Sequence, residues 1–243
     1  MIRWLFYKSP NLSLNVGGLF KRFFVLFVLF MLLYQLWIFL HICWWIKFNP
    51  STSAFMEDRL QIIHETKPDA ELKYKWVNYA QISNNLKRAV IASEDAKFSD
   101  HDGFDWEGIE KAFDKNLKKG KIVAGGSTIS QQLAKNLFLS SKRTPWRKGE
   151  EAIITVMLEK MLTKQRILEI YLNVIEWGNG IFGAEAAARH YFKGGAASLN
   201  ASQAAKLAAM IPNPRFYDDH RNTSYLNRRM SRIQAGMRVA EIP

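Results

Sequence analysis

A run of 24 residues without a formal charge, Phe23 to Ile46 (FFVLFVLFMLLYQLWIFLHICWWI), constrains this chain more than any other feature. At about 1.5 Å per residue, a helix of that length crosses a hydrocarbon core of about 30 Å. A cleavable leader fits poorly, because its apolar region runs to about 7–15 residues and ends in small residues. This run instead ends in Trp44, Trp45, Ile46, Lys47, Phe48, Asn49 and Pro50, and the tryptophans read as interfacial anchors. Arg3, Lys8, Lys21 and Arg22 precede the span and only Lys47 follows closely. The positive-inside rule then places the N-terminus in the cytoplasm and the rest of the chain outside, in the periplasm of a cell with an outer membrane. The expected organisation is a cytoplasmic tail at 1–22, a transmembrane helix at 23–46, a linker and membrane-proximal segment at 47–83, and a functional domain at 84–243.

All 22 acidic residues and 30 of the 34 basic ones follow the span, and 30 against 22 leaves the outer part at +8. A basic domain tethered to a bilayer has three obvious anionic partners: lipid headgroups, nucleic acid and a phosphate-bearing substrate. The topology argues against nucleic acid. Cys43, the only cysteine, lies inside the span, so the outer part carries no disulfide and must be stabilised by its core.

Beyond the span the periodicity is helical almost throughout, and no alternating strand of six or more residues stands out. The spacing predicts an amphipathic piece near Phe55 to Glu65, then a helix over Asn84 to Glu94 with Leu86, Val90 and Ile91 on one face. A further helix is expected from Trp106 to Lys118, with Asp105 as N-cap and Gly120 as stop. LKKGKIVAGG, basic and punctuated by glycine, reads as a mobile loop, after which Ser127 is expected to cap a helix carrying Gln131, Gln132, Lys135 and Asn136. Thr144 and Pro145 have the pattern of a cap and first helical residue for a helix to Leu162. Helices follow over Lys164 to Asn173, AEAAARHYF, Ser202 to Met210 and Tyr225 to Val239, the last basic on its exposed face.

Three polar blocks interrupt this apolar pattern. ASEDAKFSDHDG at 92–103 gathers Glu94, Asp95, Asp100, His101 and Asp102, and Glu94 and Asp95 fall at a helix C-terminus, where the dipole disfavours a carboxylate. GGSTISQQLAKN at 125–136 feeds a glycine turn into a helix start, an arrangement that offers free N–H groups to an anion. RTPWRKGEE at 143–151 adds cations, so Lys135, Arg143, Arg147 and Lys148 together suit a pyrophosphate leaving group. Taken singly, these features read as solvated charges, a structural histidine and an exposed basic helix face. GNGIFG at 178–183 has the G-x-G-x-x-G spacing, but it follows a helix and lacks a βαβ setting, so it does not indicate a dinucleotide site. His64 and Glu65 have no second histidine, and no cluster has structural metal-ligand spacing.

Taken together, EDAKFSDHDGFD at 94–105, GGSTISQQLAKNLFL at 125–139, and RKGEEA with KQRILEIYLN within 147–173 resemble the signature motifs of the bacterial peptidoglycan glycosyltransferases. The resemblance runs from about Leu86 to Met210, with the motifs in the same order. With one anchor and an end at Pro243, the expectation is a monofunctional member without a transpeptidase domain. It implies a mainly α fold, a lysozyme-like helical catalytic domain with a smaller membrane-proximal lobe. It also implies that Glu94 is the general base for an inverting polymerisation of lipid II that releases undecaprenyl pyrophosphate. Glu151 matches the family's second essential glutamate. Gln132, Ser127 and Thr128 would position sugar or phosphate, and Lys135, Arg143, Arg147 and Lys148 would hold the phosphates. Asp95, Phe98, His101, Gly103, Gly126 and Asn136 stand at motif positions expected to contact substrate, and Ser130 replaces the family's usual threonine. The implied partners are lipid II, the lipid-linked glycan chain and the membrane, with room for cell-wall synthesis or division proteins. No cofactor is required, although a divalent cation (Mg2+ or Mn2+) at the pyrophosphate is compatible with the motifs. The competing readings are a lysozyme-type lytic glycosidase, which has little use for the cations, and a non-catalytic scaffold, which has no use for Glu94 beside them.

Overall fold

The structure, a computed structural model, describes residues 16–121, 125–139 and 145–243. Thr144, residues 122–124 of the expected loop and Arg143 lie outside the described residues. The chain divides into two units, Met1–Leu40 and His41–Pro243. Helix α1 (Val16–Trp44) includes a 27-residue stretch, Gly18–Trp44, within which an 18-residue segment has a mean hydropathy of 2.5, and it carries exposed apolar side chains such as Phe23, Phe27 and Phe30. At about 1.5 Å per residue that stretch is about 40 Å long, sufficient for a single-pass membrane anchor.

The second unit is mainly α, as expected. In chain order it contains α2 (Ala54–His64), β1 (Lys73–Tyr74), α3 (Asn84–Glu94), α4 (Trp106–Lys119), α5 (Ile129–Phe138) and α6 (Pro145–Met161). There follow α7 (Lys164–Val174), β2 (Glu176–Gly178), β3 (Ile181–Phe182), α8 (Ala184–Phe192), α9 (Ala201–Met210), α10 (Pro214–Asp219) and α11 (Ser224–Gly236). Helix α4 has the expected ends: the Asp105 carboxylate accepts from the Gly108 N–H, and Gly120 closes the helix at φ +61°. Helix α5 differs by one residue. Its N-cap is Thr128 rather than Ser127, because Thr128 and Gln131 form a reciprocal capping box that Ser127 stands one position too early to join.

Two helix groups make the core. The fully buried Ile129, Leu133, Ile154, Leu158, Ile167 and Ile170 join α5, α6 and α7. Such side chains contribute about 1.5–3 kcal/mol each, and the second unit, whose only cysteine is the free Cys43, has no disulfide to add to them. In the other group, α9 packs against α3 and α11. Ala204, Ala205, Ala208 and Ala209 are fully buried there, and their small size lets the neighbouring helices come close. A side chain at Gly236 of α11 would meet the Ala92 methyl of α3 at 3.2 Å.

The strands are only two or three residues long, too short to show as alternation in sequence. They form a sheet in the order β1-β3-β2, with β1 parallel and β2 antiparallel to β3. The 178–183 glycines therefore shape a hairpin. Gly178 ends a short strand, which the sequence did not reveal, and Gly183 sits at φ +81° where a Cβ would lie 2.7 Å from the Asn173 carbonyl. That close backbone approach is the physical reason for the glycine.

Residues 47–83 contribute α2 and β1, and side chains of α7 tie this stretch to the body. Arg166 donates to the carbonyls of Trp45 (2.9 Å) and Phe48 (2.7 Å), to the Asn49 side chain (2.8 Å) and to Glu169 (2.6 Å). The other oxygen of Glu169 accepts from the Tyr79 N–H at 2.7 Å. Asn173, fully buried, accepts from the Val77 N–H at 2.9 Å and donates to its carbonyl at 3.0 Å, in the manner of a strand partner. Replacing Asn173 with alanine leaves both backbone groups of Val77 unsatisfied. The expected cost is about 2–3 kcal/mol, read from denaturant unfolding of the detergent-solubilised protein. A variant of unchanged stability would mean that Val77 finds other partners.

Candidate active site

Helix α3 ends at Glu94, and the next residue turns the chain away. Asp95 has an extended conformation (φ −162°), and its carboxylate points into the body instead of lying along its own helix end. One oxygen accepts from the Ile129 N–H, the first residue of α5, at 3.0 Å, while the other lies 2.9 Å from His101 Nε2. The arrangement removes the electrostatic difficulty noted in the sequence. A carboxylate disfavoured at the C-terminus of α3 becomes the favoured anion at the N-terminus of α5. His101 Nδ1 accepts from the Gly103 N–H at 3.1 Å, so the ring carries its proton on Nε2 and donates it to Asp95.

Gly103 has φ +94°, and a Cβ there would fall 2.8 Å from Thr155 Cγ2, so both conformation and space exclude a side chain. Its carbonyl accepts from the Thr128 hydroxyl at 2.7 Å. Phe98 is fully buried and lies beneath Lys164, whose ammonium is 4.6 Å from the ring centroid. Lys164 also donates to Glu159 at 2.8 Å, and Ser130 bonds the same glutamate oxygen. Asp95, Phe98, His101, Gly103, Thr128 and Ser130 thus form one scaffold that locks the 95–103 turn against α5 and α6. The anion position at the start of α5, expected from sequence to receive phosphate, is filled by Asp95.

Held by this scaffold, Glu94 sits in a cleft of about 190 Å³ lined by residues 92–96, Asp105, Gly108, Gly126, Ser127 and Thr128. Its Oε1 accepts from the Ser93 hydroxyl at 2.9 Å and from Arg229 Nη2 at 3.1 Å. Its Oε2 accepts from the Gln132 amide at 3.0 Å. The Gln132 oxygen in turn accepts from the Tyr171 phenol at 2.8 Å. Burial, reinforced by the charges of Glu94 and Asp95, pushes that phenol well above its ordinary range, which keeps it a donor.

Gln132 also lines a second cleft, of about 290 Å³, with Phe55, Lys135, Asn136, Arg147, Glu176 and Arg215. Lys135, Arg147 and Arg215 bring positive charge into this space. Asn136 is buried and donates to the Gln132 carbonyl at 2.7 Å, and Lys135 lies 5.5 Å from the Phe55 ring. Arg215 is 3.7 Å from Glu176, which Arg59 also approaches at 3.0 Å. Burial raises the Glu176 carboxyl above its usual range even against those two arginines. Lys148 pairs with the buried Glu151, and these two residues line neither cleft. Among the described residues no group of three or more His, Cys, Asp or Glu side chains could hold a metal.

Sequence reasoning missed Arg229, Ser93, Tyr171 and Arg215. Arg229 lay in a helix read only as basic on its outer face, and Tyr171 lay in a motif whose hydroxyl carried no separate signal.

A carboxylate held by three donors in one cleft, with a cationic cleft alongside on a mainly helical body, defines an enzyme that works on polar, anion-bearing substrates. The chain belongs to the family described as Transglycosylase, which matches residues 59–238. It is 65% identical over 228 residues to the biosynthetic peptidoglycan transglycosylase of Methylobacillus flagellatus, covering 94% of this chain and all of that one. The protein of the same name from Laribacter hongkongensis is 66% identical over 212 residues, 87% of this chain and 93% of that one. A third, from Nitrosospira multiformis, is 58% identical over 224 residues, 92% and 97% of the two chains. The expected lysozyme-like helical fold and glycosyltransferase class therefore hold, the N-terminal apolar helix fits a single-pass membrane anchor, and polymerisation of peptidoglycan glycan strands is the activity of the family.

Asp95 can be tested as a scaffold residue. Asp95→Ala should cost about 2–3 kcal/mol through the lost cap on α5 and the unsatisfied Ile129 N–H, and activity should fall with it. Full stability with activity lost would instead make Asp95 a substrate ligand.

Proposed function

We propose that this protein polymerises lipid II into β-1,4 glycan strands by inverting transfer, with Glu94 as general base and undecaprenyl pyrophosphate as leaving group. The observation that carries the reading is the Glu94 carboxylate, aligned by Ser93, Arg229 and Gln132 where Gln132 links its cleft to the cationic one. The 4-hydroxyl of the acceptor gives its proton to Glu94 as its oxygen attacks the anomeric carbon of the lipid-linked chain. The bond from that carbon to the pyrophosphate oxygen breaks, and its electron pair leaves with the phosphate. Pyrophosphate needs no protonating acid if its charge is matched, and Lys135, Arg147 and Arg215 supply positive side chains in the second cleft. In this reading Arg143 and Lys148 are phosphate ligands by their motif positions, Lys148 standing outside the second cleft in its pair with Glu151. Exposed Ser127, with Gly126 beside it, guides the acceptor sugar in the first cleft, and Asn136 and Gln132 shape the second. A divalent cation, Mg2+ or Mn2+, would take its ligands chiefly from the pyrophosphate oxygens, given the side chains gathered there. Measuring polymer yield with and without chelator reports how much of the charge it carries.

Residues 84–243 serve as the transferase body, residues 47–83 as the membrane-proximal segment, and α1 as an anchor whose N-terminal side is cytoplasmic. That topology puts the body in the periplasm, beside its lipid-linked substrate and any cell-wall synthesis or division partners. Helix α4 supports a membrane-facing lobe. Trp106, Phe113 and Leu117 share one stripe at helical spacing and are exposed, with Lys111, Lys115, Lys118 and Lys119 around them. Trp146 and Ile153 of α6 are exposed as well.

The decisive assay is purified protein with lipid II. Glu94→Gln should retain the fold and lose about 10²–10⁴-fold in polymerisation rate, the usual worth of a general base. Polymerisation at the parental rate would remove Glu94 from that role. For the lipid surface, Phe113→Ser with Leu117→Ser should lower polymerisation in liposomes several-fold and leave the rate in detergent near parental. An equal loss in both media would point to damage within the body instead.

A further inference from the structure

We infer that Arg229 is a positioning residue for the transfer, reserving Oε2 of Glu94 as the atom that takes the acceptor's proton. The inference rests on the assignment of Glu94 as base. A carboxylate offers about four lone-pair directions, two on each oxygen. On Oε1 both are used, one by the Ser93 hydroxyl at 2.9 Å and one by Arg229 Nη2 at 3.1 Å. Among the described residues only the Gln132 amide bonds Oε2, at 3.0 Å, which leaves one direction for an incoming hydroxyl. The buried Tyr171 phenol occupies the Gln132 oxygen and thereby turns the amide NH2 toward Glu94.

Arg229 is well placed to set this orientation. It reaches Glu94 from α11, across 135 residues of sequence, because the alanines of α9 and Gly236 let α11 lie close to α3. The same Nη2 donates to Ser93 Oγ at 2.9 Å, which turns the serine's single proton toward Glu94 in preference to the Ala208 carbonyl at 3.3 Å. Its charge also offsets the negative end of the α3 dipole, which otherwise disfavours Glu94. In the step itself the acceptor O–H breaks and its proton passes to Oε2, leaving the Oε1 bonds intact.

The test compares Arg229→Met, Arg229→Lys and Ser93→Ala with Glu94→Gln, using lipid II, circular dichroism and unfolding midpoints. Arg229→Met should lower kcat about 10–100-fold with KM within about twofold, the pattern of a misaligned base. Arg229→Lys should recover part of that loss, and Ser93→Ala should show a smaller loss in kcat alone. In a Glu94→Gln background, Arg229→Met should cause no further loss, because it acts only through the carboxylate. Parental kcat in Arg229→Met with Glu94→Gln inactive would overturn this inference alone. So would a loss confined to KM, which would make Arg229 a direct phosphate ligand, or an additive loss in the double variant. Should Arg229→Met fail to fold, Arg229→Lys and Ser93→Ala decide the matter by the same kcat criterion. Parental activity in Glu94→Gln would overturn the base assignment, and this inference with it.

Discussion

The buried carboxylate of Asp95 joins two helix ends that would otherwise have no reason to meet. It leaves the C-terminus of α3, where a negative charge is unwelcome, and accepts from the first N–H of α5, where it is favoured. Glu94, its neighbour, is carried into the cleft by the same turn, and Gln132, one helical turn into α5, is brought to within 3.0 Å of it. His101, Gly103 and Thr128 brace that junction from the far side. Asp95 and His101 therefore act on the site by holding other groups in place.

A second junction fastens this body to the segment that follows the anchor. Arg166 gathers carbonyls just beyond the end of α1, Glu169 binds Arg166 and the Tyr79 backbone together, and Asn173 substitutes for a strand partner at Val77. All three stand on successive turns of α7, with spacings of three and four residues that place them on one face. The same helix carries Tyr171, which supports Gln132. Helix α7 thus links the membrane-proximal segment to the groups around Glu94. A transferase working on a lipid-linked substrate needs those two regions in a constant relation.

Helices were legible because their signals are local. Asp105 and Gly120 mark the ends of α4, and the apolar spacing of Leu86, Val90 and Ile91 marks α3. The one-residue error at the start of α5 arose because Ser127 and Thr128 are equally good caps by type, and only the reciprocal bonds with Gln131 separate them. The strands were invisible at two or three residues each, since their pairing partners are brought in by the fold. Of the candidate site, Glu94, Gln132, Lys135 and Arg147 could be read from motifs. Arg229 could not, because nothing near it in sequence distinguishes it from the other arginines of α11.

By itself, then, the sequence determined a long apolar helix, a chain of capped amphipathic helices and the chemical inventory of three polar blocks. Each of these depends on residues within a few turns of one another. Tertiary structure decided which of those polar groups face a cleft and which are consumed as scaffold. It satisfied the start of α5 with Asp95, divided the cations between the second cleft and the Lys148–Glu151 pair, and brought Arg229 to Glu94. Those outcomes depend on close packing among α3, α9 and α11, on a backbone turn at Gly103 that only glycine fits, and on buried donors and acceptors finding partners far away in the chain.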